Sequence, residues 1–180
     1  MEITVNKLIN EIIESFEGEM VPDFHYLLDE YNGFVRSLYL MLPSADEKLV
    51  AEVSDGKAES TLLPAQIRRV FSDDRELLRA SKELVELLPE AKLYYAADDG
   101  IYVTVSGECT VYYRAVPDAV GDVASLETNV PGDERMLSLI RTYLSRCAYF
   151  YVGDSDSADA YATEYNSLLE DYKRENGVRE

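Results

Sequence analysis

The chain has no tryptophan, one histidine and two cysteines among its 180 residues, and each scarcity closes a line of chemistry. A lone His25 cannot by itself supply a Ser-His-Asp or Cys-His arrangement, and no nucleophile elbow or cysteine signature accompanies it. It reads as a structural or surface residue. Cys109 falls on an expected strand and Cys147 on an expected helix stripe. That placement gives neither a disulfide framework nor a metal-ligand spacing, so both read as small core residues in a reducing cytoplasm. Glycine-rich phosphate loops, internal repeats and low-complexity tracts are missing. No apolar run approaches the roughly 20 residues that cross a bilayer, so a soluble protein without signal peptide or membrane contact is expected. Positive charge is scarce too: 17 basic residues against 35 acidic ones leave a formal charge of −18. A field of that sign repels phosphate and anionic membranes, disfavours a nucleic-acid grip and keeps an abundant protein in solution.

What remains is enough for one sizeable core, or a body with a small appended lobe, since 47% of the residues are hydrophobic. Thr4 can cap a helix in which Val5, Ile9, Ile12, Ile13 and Phe16 share a side, with Gly18 as its stop. Pro22-Asp23 opens a second, whose wide stripe from Phe24 through Leu38 to Leu42 tolerates Gly33 and stops at Pro43. From Leu49 the periodicity changes to alternation. Strands are predicted around Leu49–Val53, turning at Asp55-Gly56, and a hairpin is predicted across Ser72-Asp73-Asp74-Arg75. A short helix follows over Ser81–Leu88. Leu93–Ala97, Ile101–Val105 and Cys109–Ala115 read as a β meander joined at Asp98-Asp99-Gly100 and Ser106-Gly107. In it Ile101, Val103, Val105, Cys109, Val111 and Tyr113 share one face, while Tyr102, Tyr112 and Arg114 point the other way. Residues 118–131 form a mostly irregular connector tacked down by Leu126 and Val130.

The stretch from Gly132 to Glu175 splits at Gly153-Asp154-Ser155-Asp156 into two amphipathic helices that must fold back on each other. Met136, Ile140, Tyr143, Leu144, Cys147 and Tyr151 make the stripe of the first, and Tyr161, Tyr165, Leu168, Leu169 and Tyr172 that of the second. Ala158 and Ala162 allow close approach, Gly153 ends the first helix and Asp156 can cap the second. Asp154, Asp156 and Asp159 invite a calcium reading, but the run lacks the loop glycine and terminal glutamate of an EF-hand, so it reads as a turn and cap.

The order of an aliphatic and aromatic helix, a Gly-Asp turn, then Ala158, Tyr161, Tyr165 and Leu168 along a helix ending in Lys173-Arg174 resembles a known signature. It is that of tailed-bacteriophage structural proteins of the head-to-tail connector (neck, or adaptor) class. The preceding strand and exit from Thr110 to Pro117 adds to the resemblance, which covers the C-terminal half. Compact members of that class are mostly helical, so the β-rich middle departs from the pattern. The resemblance implies a non-enzymatic virion component, assembled in the host cytoplasm as a ring of twelve copies. Such a ring stacks between the portal protein and a tail or tail-completion protein, with DNA passing through its bore without specific binding. A different class of function is a cytoplasmic accessory or regulatory protein-binding module, monomeric or dimeric, that holds a partner on the β lobe.

The fold expected from these readings is α+β, a helical bundle formed by N- and C-terminal helices with a β-rich insertion between them. Residues 1–44 are the N-terminal helical part, 45–117 the β-rich insertion with a short helix, and 118–180 the connector and C-terminal helical hairpin that completes the bundle. No catalytic, cofactor-binding or metal-ligating residues are expected. The candidate partner contacts are Tyr102, Tyr112 and Arg114, which face away from the predicted hairpin core, and Lys173, Arg174 and Arg179, basic residues on a polar end too charged to pack on its own bundle.

Overall fold

The computed structural model describes residues 3–16, 20–41, 46–121 and 123–177. Two compact units result, one of Met1–Pro43 with Pro117–Glu180, the other of Ser44–Val116. In the first, Thr4 caps α1 (Val5–Glu14) by accepting a bond from the Lys7 N–H. Val5, Leu8, Ile9 and Ile12 are its buried face, the helical spacing that lays one stripe on a core. Asp23 Oδ1 accepts from the Tyr26 N–H at 2.9 Å and starts α2 (Phe24–Met41), which buries Leu27, Leu28, Tyr31, Phe34, Val35 and Leu38. The expected stops at Gly18 and Pro43, and the stripe residue Leu42, lie outside the described residues.

The middle of the chain closes on itself. Its elements are β1 (Glu47–Ser54), β2 (Lys57–Ala58), β3 (Ile67–Ser72), β4 (Arg75–Arg79), α3 (Lys82–Leu87), β5 (Leu93–Ala97), β6 (Gly100–Val103) and β7 (Gly107–Tyr113). The strands form a closed barrel in the order β1-β2-β6-β5-β4-β3-β7. This corrects the expected fold class: instead of a helical bundle bearing a β-rich insertion, the protein has a seven-stranded closed barrel with its own core, flanked in the chain by helices. The physical reason is the pairing of β1 with β7 from Glu47↔Tyr113 to Val53↔Gly107, which removes the open edges that a meander would leave. The meander itself is corrected as well. β6 pairs with β2 and β5, whereas β7 pairs with β1 and β3. Alternation did assign the inner side for Ile101, Val103, Cys109 and Val111, which are buried, and for Val105, half-buried against the same core. It did not for Tyr113, which is half-buried and sends its hydroxyl to Glu47, and it fixes a face and not a neighbour.

Turn chemistry positions the strands. Asp73 and Asp74 have φ of 48° and 58°, the mirror-image two-residue turn whose twist suits a hairpin. Gly100 has φ of 147°, and a Cβ there would stand 2.9 Å from the Ala58 carbonyl oxygen, so close approach of β2 requires glycine. The one parallel pair among the described residues, β4 with β5, is joined through α3, whose cap Ser81 accepts from the Leu84 N–H.

Back in the helical unit, Asn32 holds the returning chain by both polar groups of one residue: its Nδ2 donates to the Val120 carbonyl and its Oδ1 accepts from the Val120 N–H, each at 2.9 Å. After α4 (Val123–Leu126) the connector pairs with the entrance to α1, through Val5 N–H to Thr128 O and Val130 N–H to Ile3 O. Asp133 caps α5 (Glu134–Tyr151). The cap of α6 (Ser155–Glu175) is Asp154, which accepts from the Ser157 N–H at 3.1 Å, and not the expected Asp156. Met136, Ile140, Leu144 and Cys147 are buried as the stripe required, but Tyr151 is 49% exposed. On α6 only Ala158 and Tyr172 are buried; Tyr161, Tyr165, Leu168 and Leu169 are half-buried.

Candidate interaction surfaces

The outer face of β1, β7 and β3 collects the most contact chemistry on the barrel. Cross-strand register sets Lys48 beside Tyr112, and Tyr112 beside Arg69. The Arg69 guanidinium lies 5.2 Å from the Tyr112 ring centre and 5.8 Å from that of Phe71, and the two rings meet edge to face at 5.4 Å. Cation–π contact of this kind pre-orders a long side chain while leaving its donors outward. Asp46 comes no nearer to Arg69 than 3.9 Å. A hollow of about 340 Å³ opens beside these rings, lined by Lys48, Thr110 and the carboxylates of Asp73, Asp74 and Glu108.

Of the residues singled out in the sequence, Tyr112 lies in this face. Arg114 follows β7, its N–H donating to the Gln66 carbonyl; burial, then the neighbouring Arg68, draws its guanidinium below the usual value. Tyr102 is elsewhere on the barrel, because β6 and β7 are not neighbours. Its hydroxyl donates to Asp99 Oδ2 at 2.8 Å and Lys57 Nζ reaches the same oxygen at 3.2 Å. Those two bonds hold the Asp99 carboxyl below its ordinary value. Lys173 pairs with Glu170 at 2.9 Å and Arg174 with Asp171 at 3.3 Å, both one turn back along α6. Arg179 lies outside the described residues. Sequence reasoning missed Lys48, Arg69 and Phe71, although alternation along β1 and β3 carries the signal that would have placed them outward.

In the helical unit, Tyr143 donates to Glu30 Oε2 at 2.7 Å and Cys147 Sγ stands 3.7 Å from the same atom. Burial, then the Glu30 charge, pushes the Cys147 thiol up to about 11, the opposite of what a nucleophilic cysteine needs. His25 is exposed, edge-on to Phe24. Among the described residues no group of three or more His, Cys, Asp or Glu side chains is placed to hold a metal ion, and no helix is long and apolar enough to cross a membrane.

The surfaces above offer contact chemistry for other proteins, and the chain is a phage structural protein of the head-tail adaptor class. It belongs to the family described as SU10 adaptor protein, whose model matches residues 3–180. No curated protein matches it. Membership makes the chain a virion component that works by contact with other head and tail proteins of the phage.

Proposed function

We propose that this adaptor assembles as a ring of twelve copies between the portal and the tail, made in the host cytoplasm, with the genome passing through its bore. The observation that carries this reading is the family match across nearly the whole chain. The charge of −18 supports it: a ring around a DNA path must let the duplex slide, and an acidic wall repels phosphate. The helical unit holds 21 acidic against 8 basic residues and the barrel 14 against 9, so the helical unit is the better wall for such a path. Mixing the purified protein with its own portal and imaging the complex tests the reading. Added density at the narrow end of the portal is expected, and absence of any association overturns it.

The basic end around Lys173, Arg174 and Arg179 meets the portal in this proposal. Arg174 is exposed and Lys173 half-buried, and the attraction of such charges to an acidic surface is screened over about 8 Å at physiological ionic strength. Deleting residues 176–180 is expected to leave the melting temperature nearly unchanged while weakening attachment to isolated portal, more so at low salt. Equal affinities of truncated and full-length protein at two salt concentrations would remove this end from the contact.

A further inference from the structure

The outer face of β1, β7 and β3 is ordered along its strands. Its first row is Lys48, Tyr112 and Arg69, its second Val50, Thr110 and Phe71, and its third Glu52 opposite Glu108, with Asp73 and Asp74 at the hairpin tip beyond. Cations therefore stand at one end, with the Asp46 carboxylate 3.9 Å from Arg69, apolar and aromatic groups in the middle and carboxylates alone at the other. Lys48, Val50, Glu52, Arg69 and Glu108 are exposed. Two like charges opposed in register destabilise a sheet until a cation approaches, and Glu52 and Glu108 have no ion pair among the described residues.

The end of α5 carries the complementary order. Phe150 is 73% exposed and Tyr151 49%, Arg146 sits exposed one turn before Phe150, and Asp154 and Asp156 follow, both exposed. Asp154 is kept charged by bonds from Ser157 that lower its carboxyl below the ordinary value. From the anionic to the cationic row of the sheet is about 13 Å at roughly 3.3 Å per residue. The step from Arg146 to the turn after α5 is about 10 Å at 1.5 Å per residue. Long side chains bridge the difference.

We infer that the Phe150–Tyr151 end of α5 in one copy docks on the β1–β7–β3 face of the next copy. The two aromatic rings cover Val50, Thr110 and Phe71, Asp154 and Asp156 meet Lys48 and Arg69, and Arg146 turns toward Glu52 and Glu108. Two charge contacts of opposite sense fix the orientation, because reversing the helix end sets like charges together. The surfaces differ, so the contact is heterologous and repeats head to tail, which is the interface type that a closed ring requires. The inference rests on the ring reading and supplies its subunit contact.

The test uses the full chain on isolated portal. Phe150→Cys and Val50→Cys variants are made separately, mixed, assembled and briefly oxidised; the native cysteines are buried. A disulfide between the two chains is expected, with none when Leu87→Cys, an exposed site on α3, replaces Val50→Cys. Arg69→Glu and Asp156→Lys, each with an unchanged melting curve, are expected to weaken assembly by roughly tenfold or more, and the two changes together to restore much of it. A ring that forms normally from Arg69→Glu protein, without the Phe150–Val50 bridge, overturns the inference and leaves the ring reading standing. A bridge that forms equally with Leu87→Cys also overturns it. No ring on the portal removes both.

Discussion

The helical unit and the barrel satisfy their backbones in opposite ways. Each helix closes its hydrogen bonds within itself, so α1, α2, α5 and α6 need one another only to bury stripes of Leu, Ile, Phe and Tyr. Barrel strands have no such independence. Every ladder bond of β7 is made to β1 or β3, and the core they enclose is built largely of small and branched residues such as Ala51, Ala58, Ala96, Val70 and Val111. The helical unit can therefore lose stability by degrees, beginning with α6, whose stripe is mostly half-exposed. A closed ladder gives way as a whole.

Four substitutions break or sharpen that contrast. The largest effect is expected from Val111→Asp, which places a carboxylate without partner at a site of 0% exposure. The cost of several kcal/mol should remove the barrel's strand signal entirely while α5 and α6 keep their helical signal; amide exchange resolved by residue checks this, and parallel loss of both would merge the two units into one cooperative system. Leu144→Ala, also at 0% exposure, should cost about 2–5 kcal/mol and lower the melting of the helices while barrel amides keep their protection. Asp133→Ala removes the α5 cap that serves the Arg135 and Met136 N–H groups. It should cost about 1 kcal/mol, seen as a shifted denaturant midpoint with an unchanged slope.

The smallest effect is one of pH. The folded Asp99 carboxyl is depressed, first by the Tyr102 hydroxyl and then by Lys57, below its ordinary value of 3.8. Its contribution is therefore present above that value and is lost as pH falls through the depressed one. Asp99→Asn should make the acid loss of barrel stability shallower, leaving the helical unit's acid response, to which Asp154 contributes in the same sense, as it was. An unaltered acid limb would show that the Lys57–Asp99–Tyr102 cluster adds nothing.

The same contrast explains what the sequence made legible. Helix stripes, the Thr4 cap, the Asp73-Asp74 turn and the Ser81 start are local signals, each decided by residues within a few positions of one another. Barrel closure is decided by residues far apart, such as Glu47 and Tyr113, whose hydroxyl donates to the Glu47 carboxylate at 2.8 Å. No spacing rule announces that pair, and so the meander was the natural reading of three consecutive strands. The Arg69–Tyr112 contact was hidden for the same reason: alternation turned both residues outward, but only the β3–β7 pairing made them neighbours. Tyr151 differs in another way: its ring packs on that of Tyr26 at 4.9 Å between centres and is still 49% exposed, since helical spacing places a residue on a stripe without saying how fully the neighbour covers it.

The pairing of Glu47 with Tyr113 also means that the chain enters and leaves the barrel side by side. Antiparallel partners stand about 5 Å apart at their Cα atoms, close enough for a tight turn of a few residues to join them. The barrel is thus a cassette closed at its own entrance: a short glycine-serine link joining Glu47 to Tyr113 would have to span only that distance. A lineage could exchange, enlarge or shed this cassette while the helices kept their stripes, and the outer face of β1, β7 and β3 would travel with it as a portable recognition element.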